Sequence, residues 1–391
     1  MKLFGMMMAL VMAFGLLLGP TAAWAAGSAH TDYTAVAGTQ TTFNSYLVVD
    51  NDSHIPALTV SYSVSAGSPV DANTTAGTLA VLAGLTPEAV TVNSTAQTGT
   101  TSFTANQTTT AGTATDGIVN STDKKYATNT VTLDFSDVSF PEPGVYRYVI
   151  TQEPITNTSV VPDSVLTRTV DVYIQDVNGA LTVQGYVMYS GTEDYGPAAD
   201  GTIDEENPEA VKTRQYVNSV TTYDLTVSKT VTGNQGSKDK YFQFTITISG
   251  VPAGTVVDLV RTNMTAAPTQ NAATIYSAAA MTAANGVASL TADASGEISY
   301  TVYLSHGESV QLLGIPKDAG YAVTEAAEDY SCTLPDNDDG TLTADTTVAF
   351  TNSRTGTVPT GVMLTVVPGV IIVGLGAAGL ILFNRKKRDE E

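Results

Sequence analysis

The chain has 391 residues, room for two or three domains of ordinary size, and 17 Lys and Arg stand against 38 Asp and Glu for a formal net charge of −21. That balance excludes a nucleic-acid partner, because phosphate binding needs clustered basic side chains. Only 14% of the residues are charged, and the single cysteine, Cys332, excludes an intramolecular disulfide.

At the N-terminus Lys2 precedes an apolar run over residues 3–18, then Pro20 and Ala23-Trp24-Ala25. This order fits a signal peptide, 1–25, with an A-x-A cleavage site, and places the mature chain outside the cell. Trp24 is the only tryptophan, so the mature chain is expected to contain none. Beyond it, Thr-rich alternation punctuated by Gly and Pro predicts β-sandwich structure. Residues 84–130 are rich in Thr, Ser and Ala with few large apolar side chains, and read as an insertion or long surface loop. Residues 131–135 and 144–150 alternate apolar and polar. Residues 170–176 and 180–189 do the same around Asn178-Gly179, the signature of a type I′ hairpin.

A domain boundary falls near residue 222, where Tyr223-Asp224-Leu225-Thr226-Val227 opens a new strand. Residues 241–248, 297–304 and 347–351 alternate in the second half, and 275–284 is the nearest approach to a helix. The halves echo each other. Thr151-Gln152 ends a strand as Thr324-Glu325 does, and Tyr216-Val217-Asn218 closes the first half as Phe350-Thr351-Asn352 closes the second. The fold class is therefore all-β, two tandem Ig-like β-sandwich domains at 27–221 and 222–356. At the C-terminus the 21 apolar residues 363–383 would span about 31 Å as a helix, enough to cross a membrane. Arg385-Lys386-Lys387-Arg388, within the tail 384–391, forms a stop-transfer cluster. Val358-Pro359-Thr360-Gly361-Val362 stands immediately before the span.

The tripartite order of 358–391 resembles a cell-wall sorting signal. The usual motif begins Leu-Pro and has one residue between Pro and Thr-Gly; here Val replaces Leu and that residue is missing. The shortened form is similar to the motif of one group of streptococcal major pilins, read by a pilin-specific sortase. It implies cleavage and linkage at Thr360, with Val358, Pro359 and Gly361 completing the recognition motif. Residues 225–233 and 238–244 look like the opening strands of a pilin isopeptide-linkage domain. Residues 135–140 and 143–146 resemble the first domain of streptococcal backbone pilins, and 350–352 the family's C-terminal end.

This resemblance implies that Lys229 attacks the side-chain amide of Asn352, expelling ammonia with the help of Glu325. Burial is expected to hold the Lys–Glu pair neutral, so that the amine is a nucleophile and the carboxyl a proton donor. The first domain departs from the pattern: Ser45 stands at the lysine position and Gln152 at the glutamate position, and only Asn218 remains. No cross-link is expected there, and alternation puts Glu153 on the opposite face. Lys212, six residues before Asn218, best matches the family's intersubunit acceptor lysine, although the Tyr-Pro-Lys motif is absent.

The implied function is a sortase-polymerised pilus backbone subunit, extracellular and wall-anchored, its precursor held by a single C-terminal helix. The alternative is a non-polymerising wall-anchored adhesin or minor pilin. Its partners would be pilin-specific and housekeeping sortases, other copies of itself, peptidoglycan and host surface ligands. No metal or cofactor is implied. With only His30, His54 and His306, and no H-E-x-x-H, G-x-S-x-G or CxxC motif, an enzyme acting on an external substrate is not expected.

Overall fold

The computed structural model describes residues 33–73, 77–192, 196–197, 211–262 and 287–357. The expected signal peptide at 1–25, the helical candidate at 275–284 and the expected sorting signal at 358–391 lie outside them. Among the described residues the chain is all-β, with one short 3-10 turn at Pro87–Ala89. No helix among them is long and apolar enough to cross a membrane.

The principal strands of the first half are β1 (Gln40–Asp50), β2 (Leu58–Ala66), β3 (Thr98–Phe103), β4 (Lys124–Asp134), β5 (Gly144–Gln152), β6 (Thr167–Val177), β7 (Ala180–Ser190) and β8 (Gln215–Val220). One sheet runs β7-β6-β5-β2-β3, and the other is built around β8-β1-β4. Alternate residues of both sheets enter one core, including Phe43, Leu47, Tyr62, Val64, Val131, Leu133, Tyr148, Ile150 and Tyr216. At the β6–β7 hairpin, Asn178 and Gly179 have φ of 57° and 89°, the left-handed geometry of a type I′ turn.

The insertion expected at 84–130 is corrected by these strands. β3 pairs with β2, β4 pairs with β1 along its whole length, and Val90, Val92, Phe103 and Ala127 are core residues. Only the stretch between β3 and β4 runs mainly over the surface. Small and hydroxylated residues fill inward positions of β3 because space is short there. A Cβ at Gly99 would lie only 2.0 Å from the Val92 carbonyl oxygen.

The second half comprises β9 (Thr222–Thr232), β10 (Phe242–Ser249), β11 (Val256–Thr262), β12 (Val287–Thr291), β13 (Ile298–Leu304), β14 (Ser309–Pro316), β15 (Gly320–Ala326), β16 (Ser331–Thr333), β17 (Asp339–Thr341) and β18 (Thr346–Ser353). A six-stranded sheet, β12-β11-β14-β9-β18-β16, faces a four-stranded one, β13-β10-β15-β17, across a second core. Val220 belongs to the first core and Leu225 to the second. In each half the opening strand lies parallel to the closing one, β1 beside β8 and β9 beside β18. Contacts across the junction include Ser53 Oγ with Thr222 Oγ1 at 2.9 Å and the His54–Asp258 pair at 3.0 Å.

Directly opposed on β5 and β6, Arg147 and Asp171 form a buried bidentate ion pair, with Nε and an Nη each donating to a carboxylate oxygen at 2.8 Å. Both charges are out of water, so breaking this pair is costly. Asp171→Ala is expected to cost the first domain about 3–5 kcal/mol. The checking measurement is urea denaturation, with an earlier first-domain transition and an unshifted second one.

Candidate functional site

The inward positions of β9 are occupied by Leu225, Val227, Lys229 and Val231 in strict alternation. An amine therefore sits where the pattern calls for an aliphatic side chain. On β18 the same series reads Val348, Phe350, Asn352, and on β15 it reads Tyr321, Val323, Glu325. Lys229 pairs with Phe350 in the parallel ladder, which places Asn352 two residues farther along the neighbouring strand. Glu325 approaches from the facing sheet, where its Cα partner is Phe244. Three strands thus bring the three sequence-predicted side chains together in the core.

Lys229 Nζ lies 2.5 Å from Glu325 Oε1, and neither side chain exposes any surface. Asn352 Nδ2 donates to the same Oε1 at 2.8 Å. The approach of Nζ is close but makes no well-aligned hydrogen bond, and Asn352 Oδ1 has no hydrogen-bond partner among the described residues. The ammonium also lies 4.5 Å from the Phe242 ring centroid and 5.8 Å from that of Phe244. Burial pushes the Lys229 amine below its ordinary value, with the Glu325 contact acting in the opposite sense. Glu325 Oε2 accepts a hydrogen bond from Cys332 Sγ at 3.3 Å, a contact that sequence reasoning missed because Cys332 was read only as a bar to disulfides.

The first domain repeats this geometry with different chemistry. Ser45 pairs with Tyr216, Asn218 lies two residues farther on, and Gln152 is opposite Tyr62, as Glu325 is opposite Phe244. Ser45, Gln152 and Asn218 are all fully buried. Gln152 Nε2 donates to Asn218 Oδ1 at 2.8 Å, and Asn218 Nδ2 returns a bond to Gln152 Oε1 at 3.1 Å. The Asp163 backbone N–H also donates to Asn218 Oδ1, and Tyr62 donates its hydroxyl to Ser45 Oγ. Every polar group is satisfied without a charge. Glu153 accepts from Ser63 Oγ on the other face. Lys212 is exposed, its backbone bridged to Tyr189 at the approach to β8, and its side chain has no salt bridge among the described residues. Val358, Pro359, Thr360 and Gly361 lie outside those residues.

Residues 84–219 match the Spy0128-like isopeptide containing domain, and residues 223–354 match a domain of unknown function, DUF7601. A pilin from Streptococcus pyogenes serotype M1 is 28% identical over 278 residues, spanning 66% of this chain and 72% of that protein. By sequence, then, the chain is similar to a streptococcal pilin and carries a match to an isopeptide containing domain. Among solved structures, the major pilin from Streptococcus pyogenes aligns with a TM-score of 0.51 at 20% identity, over 82% of this chain and 100% of that one. The T3.2 major pilin of the same species gives a TM-score of 0.51 at 20% identity, over 82% and 99%. These two likenesses are of fold, and extend across both domains.

A pH dependence follows from the buried amine. In an Asn352→Ala chain, which cannot form the amide, Lys229 keeps a folded pKa below its ordinary 10.5. Between those two values the unfolded state binds more protons, so stability should rise with pH through that window and level off above it. Urea midpoints from neutral pH to pH 10.5, compared with a Lys229→Met/Asn352→Ala control, check the sign; a flat difference contradicts it.

Proposed function

We propose that the chain is a pilus subunit whose second domain locks itself with an amide between Lys229 and Asn352. The observation that carries this reading is the convergence of two nitrogens on one oxygen, Glu325 Oε1, away from water. One nitrogen must lose a proton and the other must gain one. Lys229 gives its ammonium proton to Oε1, and the neutral amine attacks Asn352 Cγ. The carbonyl oxygen that takes up charge is Oδ1, which has no competing partner among the described residues. Glu325 passes that proton to Nδ2, which departs as ammonia. It then takes the second proton from the newly bonded Lys229 nitrogen, so that a neutral amide replaces the old one and the carboxyl ends protonated. No oxidant, metal or cofactor enters this balance. Because the linked positions are 123 residues apart, a disulfide closing such a loop offers the nearest guide, a gain of about 4–5 kcal/mol.

In the first domain a hydroxyl at Ser45 and an amide at Gln152 supply neither amine nor acid, so no bond forms at Asn218. Intact-mass measurement of the ectodomain is therefore expected to find one lost ammonia, abolished by Glu325→Ala or Asn352→Ala. Two losses would place a second bond in the first domain, and none would remove the amide from this reading.

Assembly rests on the sequence. Within a wall-sorting signal, Thr360 would form the thioester with a pilin-specific or housekeeping sortase and then an amide with the next copy or peptidoglycan. Lys212, exposed at the approach to β8, would supply the acceptor amine. The protein would stand outside the cell, anchored to the wall, as a structural component rather than an enzyme. Thr360→Ala should abolish wall linkage, whereas Lys212→Arg should remove the ladder of SDS-resistant polymers and leave wall-linked monomer. A ladder undiminished in Lys212→Arg moves the acceptor role to another lysine, and wall linkage in Thr360→Ala overturns the sorting signal.

A further inference from the structure

We infer that Cys332 is a positioning residue for amide formation, holding Glu325 so that Oε1 alone faces Lys229 and Asn352; the inference rests on the isopeptide reading above. The two oxygens of a carboxyl group are chemically equivalent until their surroundings distinguish them. Here the division is complete: Oε1 meets Lys229 Nζ and Asn352 Nδ2, and Oε2 meets Cys332 Sγ. The contact at 3.3 Å has the length of a sulfur hydrogen bond, with the thiol donating to Oε2.

That proton is secure. Burial first, and the neighbouring Glu325 second, push the Cys332 thiol up to about 11, with Lys229 opposing them. At neutral pH the group is therefore S–H, a donor, and not a competing thiolate nucleophile. Its placement is fixed by the ladder that holds the reacting amide, because Cys332 on β16 is the direct Cα partner of Asn352 on β18.

The consequence is chemical. A proton taken from Lys229 at Oε1 is useful only while that oxygen stays between the two nitrogens. If the carboxyl turned over, the proton would face the edge strand and the leaving amine would lose its donor. A donor committed to Oε2 makes the turned arrangement place one hydrogen against another. Cys332 thus acts through Glu325 and does not touch the reacting atoms.

Cys332→Val and Cys332→Thr separate the donor from the shape, since the two side chains share a branched outline and only Thr carries a proton to give. The full chain is made by cell-free synthesis, chased at a temperature where the wild-type half-time is resolved, and sampled by intact mass for loss of ammonia. Val should slow the loss about tenfold, the scale of one hydrogen bond to a charged group, and Thr should stay within about threefold of wild type. Circular dichroism verifies folding, and Cys332→Ala with Cys332→Ser replaces the pair if Val fails to fold. Equal rates in Val and wild type, or Thr as slow as Val, overturn the inference while leaving the isopeptide intact. No ammonia loss in the wild type overturns the isopeptide reading itself.

Discussion

Lys229 carries its amine into a compartment lined by Phe242 and Phe244 where water does not reach, and the second domain is organised around accommodating it. A lone ammonium there would be driven to shed its charge, since the desolvation of an ion is not recovered from aromatic faces alone. Glu325 answers it from the facing sheet, Asn352 flanks the pair from the adjacent strand, and Cys332 occupies the remaining carboxylate oxygen. Each of these side chains comes from a different strand. The parallel pairing of β9 with β18, and the register of β10 with β15, are what make the meeting possible.

The first domain shows what the same frame becomes when the charge is removed. With Ser45 in place of a lysine, no proton needs a destination, and the Gln152–Asn218 amide pair closes on itself with two hydrogen bonds. The amide pair is mutually satisfied, whereas in the second domain Asn352 Oδ1 has no hydrogen-bond partner among the described residues. Buried charge has moved elsewhere in the first domain. Arg147 and Asp171 pair across β5 and β6, and Arg168 bonds Asp163, whose carboxylate also accepts from the Val217 backbone N–H beside Asn218. One domain places an amine, a carboxyl and an amide at its seam, and the other a hydroxyl and two amides.

Lys229, Asn352 and Glu325 were legible through the resemblance to pilin isopeptide-linkage domains, not through their pattern. The alternation that sets Lys229 in step with Leu225 and Val227, and Asn352 with Val348 and Phe350, is the physical reason they are buried. The Asn178-Gly179 hairpin was legible locally, since few residue pairs tolerate two consecutive positive φ values. β3 was not. Its inward residues are Gly99, Thr101 and Phe103, and a single large apolar side chain does not mark a strand. The need for smallness came from Val92 crossing close by, a tertiary fact without a local signature. The Cys332 contact was hidden likewise, because the pairing of β16 with β18 joins residues 20 positions apart with no turn motif to fix their register.

The parallel arrangement of opening and closing strands has a mechanical meaning. A pull along the chain enters a domain at one end of its first strand and leaves at the opposite end of its last, loading the ladder between them in shear. If the proposed amide joins Lys229 to Asn352, tension would pass directly from β9 to β18. The 123 positions between them, about 400 Å of extended chain, would be withheld from stretching. From Ser45 to Asn218 the span is 173 positions, about 600 Å when drawn out, and on the same proposal non-covalent contacts would have to retain it. A fibre of such units would alternate inextensible links with yielding ones. Under a sudden load the yielding links could lengthen and refold while the backbone stayed unbroken.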